Sequence, residues 1–268
     1  MIKQLKKPIK KAITNFRTLV LTRHPSHSIL RSKLALLPFR SLIRLGSETI
    51  PTDGKQRVEL NSVQAVRNSA NKLRMKQCFT KGNVQHAQWW NSPNEIPKDV
   101  KYPIIAKSLT GSRGRGNTKL DSVAELDQFI RSHENMSNYI FEKFYTYSKE
   151  YRLHITNDGC FYTCRKLLKT ENSEDWQRHD NNCIWILENN PKFMKPANWN
   201  LIVEDCIRAK NALGLDICAF DVMVQGSGKE APKWIICELC SALSFGDITA
   251  QKYLIEIPKL LKKKYNNR

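Results

Sequence analysis

A chain of 268 residues with 41% apolar side chains is long enough to bury one large core or two smaller ones. It contains no apolar run of about 18 residues, which argues against a membrane-spanning helix, and its basic N-terminus lacks the apolar stretch of a secretory signal. The net charge of +19 leaves room for a polyanionic partner (nucleic acid, an acidic protein or a membrane surface), although a solvated basic surface accounts for most of the lysines equally well.

Residues 1–60 read as a basic N-terminal segment, in which Pro8, Pro25 and Pro38 interrupt any long helix. No acid occurs before Glu48, a composition that transit peptides share. Short apolar runs such as Leu34-Ala35-Leu36-Leu37 are expected to dock on the rest. Residues 61–268 form the main domain. Asn61 with Gln64 reads as a capping box, opening a helix through Val63, Val66, Ala70 and Leu73, with Lys72 near its end. Residues 102–107 read as a buried strand and 108–119 as a Gly/Ser/Arg-rich loop. Ser122 and Glu125 cap a second helix, expected to bury Val123, Leu126, Phe129 and Ile130.

Strands follow at 139–145 and 150–156. The turn Asn157-Asp158-Gly159 leads into another at 160–168. The stretch 170–197 is polar and irregular, anchored by Trp176 and Trp185. Asn198 caps a helix that Gly214 ends. Strands at 217–224 and 233–240 and a C-terminal helix complete an α+β order built on antiparallel hairpins. The eight cysteines read as free thiols of a reducing compartment, and Cys237-x-x-Cys240, with no second pair, does not read as a zinc site.

Several residues stand out chemically. Pairing the last two strands about their loop sets Asp221 opposite Glu238, about 5 Å apart at Cβ. Facing carboxylates need positive charge between them. Mg2+ carrying nucleotide phosphates supplies it; the alternatives are that each acid pairs with a nearby lysine or that the register is slipped and the acids do not face. Lys107 ends an apolar strand, where a lysine needs a partner such as a phosphate, or an edge position from which it reaches water. The loop at Gly111–Gly116 can turn backbone N–H groups toward an anion or simply be solvated. A tight hairpin at Asp158-Gly159 places Glu150 opposite Arg165, where an ordinary ion pair is the alternative to a ligand role. Phe141 and Phe144 either flank a base or fill the core.

In this order the motifs resemble the ATP-grasp family of carboxylate–amine ligases, especially its glutathione-synthetase-like and ribosomal-protein-modifying branches and the compact members found in tailed phages. The resemblance covers residues 61–257. It implies an α+β ATP-grasp fold, with two α+β lobes whose antiparallel sheets grip the nucleotide. The lid-bearing lobe would span residues 75–145 and the catalytic lobe 146–268, behind a short pre-ATP-grasp region. It implies ATP and Mg2+ as cofactors. Lys72 and Lys107 match phosphate contacts, and Gly111, Ser112, Arg113, Gly114 and Gly116 match the glycine-rich lid. Glu142, Lys143 and Phe144 match the strand that holds adenine through backbone groups, and Glu150 matches the ribose ligand. Arg152 and Arg165 match basic residues near the transferred phosphate and the acyl group. Trp176-Gln177-Arg178, with Asn181 or Asn182, matches a substrate-side segment, which adds Arg178 to the catalytic set.

Asp221 and Glu238 match two magnesium ligands. Cys240 stands where the family usually has an asparagine ligand, and a neutral thiol serves Mg2+ poorly. The downstream proline is also missing, with Leu243 in its region. The implied reaction joins a carboxylate to an amine, on a small molecule or a peptide, through an acyl phosphate in the cytoplasm (a host's, for a viral protein). The alternative is a catalytically impaired relic that binds nucleic acid or protein through its basic surface.

Overall fold

The computed structural model describes residues 18–23, 28–111, 114–170, 182–226, 232–241 and 246–267. Three sheets organise them. The first is parallel, with strands β1 (Leu19–Thr22), β2 (Ser41–Leu45) and β3 (Val58–Leu60) in that order. Every residue of β2 is buried, as befits a central strand covered on both faces. Helix α1 (Ser28–Leu34) and the C-terminal helix α6 (Asp247–Asn266) pack on this sheet. Leu30, Ile43, Tyr253 and Leu261 share its core. The region expected to be a docked basic segment thus contains a parallel sheet. Leu34 docks as expected, but Leu36 is 80% exposed.

Two short helices follow, α2 (Val63–Ala70) and α3 (Lys72–Lys81). The cap of α2 is Ser62, whose hydroxyl accepts from the Ala65 N–H. Asn61 is therefore not the cap, and Lys72 opens a new helix capped by Asn71 instead of closing the first. Asn61 does something else. Its backbone takes a left-handed φ of 62°, a conformation Asn tolerates better than most residues. The buried amide oxygen accepts from the Asp216 and Ile217 N–H groups, and the amide nitrogen donates to the Arg44 and Ile217 carbonyls. It ties the parallel sheet to the strand carrying Asp221. Asn61→Ala strands these buried partners, so it is expected to lower stability by roughly 2–4 kcal/mol, measured as a shifted urea midpoint with unchanged slope.

The second sheet is antiparallel, in the order β4 (Trp89–Trp90), β7 (Tyr139–Lys143), β5 (Ile104–Ser108), β6 (Asn117–Leu120). Helix α4 (Val123–Ser132) covers it and buries Leu126 and Phe129 against Ile104, Ala106 and Phe141. Ser122 caps α4 as expected. Val123, however, is 58% exposed, off the stripe through Leu126 and Phe129 that the helix buries. Phe141 belongs to this core.

The third sheet is antiparallel in the order β10-β9-β8-β11-β12, with β8 (Lys149–Thr156), β9 (Gly159–Leu168), β10 (Cys183–Leu187), β11 (Cys218–Gln225) and β12 (Lys233–Cys240). Strand β10 lies inside the stretch expected to be irregular. Helix α5 (Trp199–Leu213) runs across one face and ends at Gly214, with φ of 77°. It packs Ile202, Cys206 and Ala209 against Tyr151, Leu153, Phe220 and Val222, and the burial of a side chain the size of Ile202, Leu153, Phe220 or Val222 is worth about 1.5–3 kcal/mol. Asn198 stands at its N-cap, but its side chain donates to the Pro232 carbonyl instead of capping. Because strand side chains alternate, Arg152, His154 and Asp221 project from the opposite face.

Candidate functional site

That opposite face and the second sheet enclose a cleft of about 1870 Å3. At one end, Glu142 on β7 is buried and meets two ammonium groups. Lys107 of β5 donates to its Oε2 at 2.9 Å, and Lys76 of α3 lies 3.1 Å from the same atom. Burial alone would raise the Glu142 carboxyl, but the ammoniums of Lys107 and Lys76 outweigh it and hold the group below the usual carboxylate range. Burial instead pulls Lys76 down. The second oxygen of Glu142, Oε1, is buried with no hydrogen-bond partner, an acceptor at the cleft wall.

Lys143 is exposed and Phe144 half-buried, with Lys119 5.4 Å from the Phe144 ring centre. Their N–H groups already donate to the carbonyls of Gln88 and Pro103. Those two amides are therefore not available to a base. Tyr145 also lines this end, and burial pushes its phenol up to about 12.

The loop between β5 and β6 overhangs the cleft. Gly114 and Gly116 take φ of 70° and 74°, and a Cβ on Gly111 would lie 2.3 Å from the Arg115 carbonyl oxygen. The tight path therefore needs these glycines. Ser112 and Arg113 lie outside the described residues. Lys72, at the start of α3, donates to the Gly111 carbonyl at 2.5 Å and stands 3.7 Å from Glu238 Oε1. It links the loop to the acidic pair.

Asp221 and Glu238 do face each other across β11 and β12, next to a bulge that leaves Cys237 unmatched. Both line the cleft, as does Lys107. Arg152 of β8 grips Asp221 with two bonds, Nε to Oδ1 at 2.7 Å and a terminal nitrogen to Oδ2 at 2.8 Å. Lys166 adds a contact at 3.3 Å and also pairs closely with Glu150. Burial opposes the charge on Asp221, yet Arg152 and Lys166 hold its carboxyl well below the usual range. Glu238 keeps 38% of its side chain exposed. Cys240 lies two residues on, at the cleft wall.

The expected pairing of Glu150 with Arg165 is wrong. A bulge at Phe161 inserts one residue between the pairs Ile155–Cys160 and His154–Tyr162, so Lys166 stands opposite Glu150. A one-residue shift turns every following side chain over. Arg165 therefore points to the α5 side, where it is buried, donates to the Lys192 carbonyl at 2.5 Å and lies over the Tyr151 ring. Arg178, with Trp176, Gln177 and Asn181, lies outside the described residues. Trp185 of β10 reaches the cleft and covers the cations, its ring 4.6 Å from the Arg152 guanidinium and 5.2 Å from Lys166 Nζ. Deeper in, burial lowers His154 to about 3, so its imidazole is neutral; it hydrogen-bonds the Tyr253 hydroxyl at 3.1 Å.

Sequence reasoning gave no site role to Lys76 or Lys166 and read Trp185 only as an anchor of its segment. Lys76 had a usable signal, one helical turn after Lys72. Lys166 had none, because the bulge that places it leaves no local mark.

No family model matches the sequence, and no curated protein sequence matches it. Solved structures do match. D-alanine–D-alanine ligase from Bacillus anthracis aligns at 12% identity over 86% of this chain and 83% of its own, with a TM-score of 0.58. A RimK domain ATP-grasp protein from Sphaerobacter thermophilus aligns at 11% identity over 92% of this chain and 99% of its own, with a TM-score of 0.59. The ATP-grasp ligase PsnB, solved with a precursor peptide and AMPPNP, aligns at 16% identity with a TM-score of 0.53, covering 77% of this chain and 63% of its own. Identities this low speak to architecture and leave chemistry to the residues. Two antiparallel sheets closing on one cleft, shared with these ligases, establish that this chain has the ATP-grasp fold.

Proposed function

We propose that the chain is an ATP-dependent carbon–nitrogen ligase that activates a carboxylate as an acyl phosphate and joins it to an amine. One observation carries this reading. A single cleft brings Lys72, Lys107 and the buried acceptor of Glu142 together with the facing acids Asp221 and Glu238. Nucleotide phosphates need the first group and metal-assisted phosphoryl transfer needs the second.

In this scheme Lys72 and Lys107 orient the phosphate chain. The Glu142 oxygen without a partner suits an amino group of the base. The glycine loop Gly111–Gly116 closes over the reacting atoms and keeps water from the activated acid. Arg152 and Lys166, both lining the cleft, would offset the negative charge that develops as the phosphoryl group moves and the amine adds. Arg165, on the other face, supports the strand and does not reach the reacting groups. Asp221 and Glu238 suit Mg2+ as a donor set, being two hard carboxylates on facing strands at an open cleft. When bound there, Mg2+ offsets phosphate charge. The PsnB likeness supports a peptide as one substrate.

The test supplies ATP, Mg2+ and panels of amino acids and acidic peptides, follows ADP, and weighs products by mass spectrometry. ADP formed in step with a condensation product supports the ligase. Absence of nucleotide binding and turnover under all conditions overturns it. The competing reading, a basic binding module, meets an obstacle on α6, where Lys259, Lys263 and Lys264 are each paired with an acid. Steeply salt-dependent nucleic-acid binding without ADP release would favour it instead. Among the described residues no helix is long and apolar enough to cross a membrane.

A further inference from the structure

The acidic pair comes with its own cations. Asp221 is gripped by Arg152 at 2.7 and 2.8 Å and touched by Lys166 at 3.3 Å. Lys166 also holds Glu150, and Lys72 stands 3.7 Å from Glu238. Three carboxylates thus face three cations, and the network is neutral as built. Asp221, Glu150, Arg152 and Lys166 are largely shielded from solvent, so water screens their charges weakly. Above them the Trp185 ring covers both the guanidinium and the ammonium, which disfavours their leaving for solvent.

A bare divalent ion approaching Asp221 therefore meets a carboxylate that is already neutralised and two cations that repel it. An ion that arrives with polyphosphate meets a different balance. The phosphates bring negative charge of their own, to which Arg152 and Lys166 can turn as the metal takes the carboxylate. We infer that Arg152 and Lys166 are built-in counterions of Asp221, which make divalent-ion binding depend on the nucleotide and admit metal and nucleotide only as one complex. This rests on the reading of the cleft as a nucleotide site. It adds an order of binding, and it names Lys166 as the residue that enforces it.

The experiment titrates Mn2+, a paramagnetic substitute for Mg2+, into the full chain without nucleotide and counts free ion by electron paramagnetic resonance. The wild-type chain is expected to retain Mn2+ only weakly. Lys166→Met removes one counterion and frees Glu150 together with the side of Asp221 Oδ2 that Lys166 occupied, Arg152 still holding both Asp221 oxygens, so its affinity for Mn2+ alone should rise at least about tenfold. Lys166→Arg keeps the charge and should behave as wild type. A wild-type chain that binds Mn2+ alone as tightly as Lys166→Met overturns the inference.

A second readout uses only folded wild-type protein and Trp185→Phe. Mn2+ with AMPPNP should change tryptophan emission as the cations leave the Trp185 ring, and this part of the signal should vanish in Trp185→Phe. Emission that does not respond while AMPPNP binds also counts against the exchange. Equilibrium dialysis of AMPPNP separates the two readings. If AMPPNP binds with metal yet Mn2+ alone binds tightly, only the counterion inference falls. If AMPPNP does not bind, the nucleotide reading falls and takes this one with it.

Discussion

Asp221→Asn is expected to cut Mg2+-dependent ADP formation by about a hundredfold or more, because it removes a hard anionic oxygen from the facing pair. The variant should also unfold more easily. Asp221 is buried among Arg152 and Lys166, and breaking one side of such a network leaves uncompensated charge, at a cost of about 3–5 kcal/mol. Glu238→Gln separates the two effects. Its side chain is 38% exposed and its nearest ammonium, Lys72, is 3.7 Å away, so activity should fall comparably while stability barely moves. Initial rates of ADP release beside thermal melts of both variants make the check. Full turnover in both variants refutes the metal-site reading.

A comparable loss of stability is expected at Glu142. Glu142→Gln leaves Lys76 and Lys107 close together in a buried site without their shared carboxylate. A loss of about 3–5 kcal/mol, or about 10 °C in the melting midpoint, is expected. Lys76→Met alone should cost less than Glu142→Gln, since Lys107 still pairs with the Glu142 carboxylate and a methionine fills similar space. Combining the two should recover part of the loss, because the unpaired ammonium goes with the lysine.

The pH dependence has a definite sign. The Glu142 carboxyl is held below its unfolded value by Lys107 and Lys76. Its stabilising contribution is complete above the unfolded carboxylate range of about 4.3 and is lost as pH falls through the depressed folded value. Wild type should therefore weaken steeply below about pH 4.3. Glu142→Gln should show a shallower acid slope. Equal slopes in urea melts at graded pH would remove the Glu142 cluster as the cause.

Much of this molecule was legible before its structure. The Asn157-Asp158-Gly159 turn, the Ser122 cap, the stop at Gly214 and the strands around Asp221 and Glu238 all carry local signals, and all appear where those signals point. Local chemistry decides such features within a few residues, through backbone propensity and turn geometry. The parallel sheet of β1, β2 and β3 was not legible in the same way. Its strands are short, separated by 18 residues or less of unlike chain, and joined by pairings that no periodicity announces. Asn61 misled for a related reason. Its residue type suits a cap, but its partners are Asp216 and Ile217, 155 and 156 residues away.

What the amino-acid order determines by itself is the kind of each element and the facing of two acids across one hairpin, because hydrogen-bonded neighbours in a hairpin are counted from a turn. Only the tertiary structure decides which cations meet those acids. One inserted residue at Phe161 exchanges Arg165 for Lys166 at the cleft, since side chains on a strand alternate and a single step reverses them. Packing of α3 against α5 brings Lys76 to Glu142 of the second sheet, a meeting set by three-dimensional fit and not by any spacing along the chain.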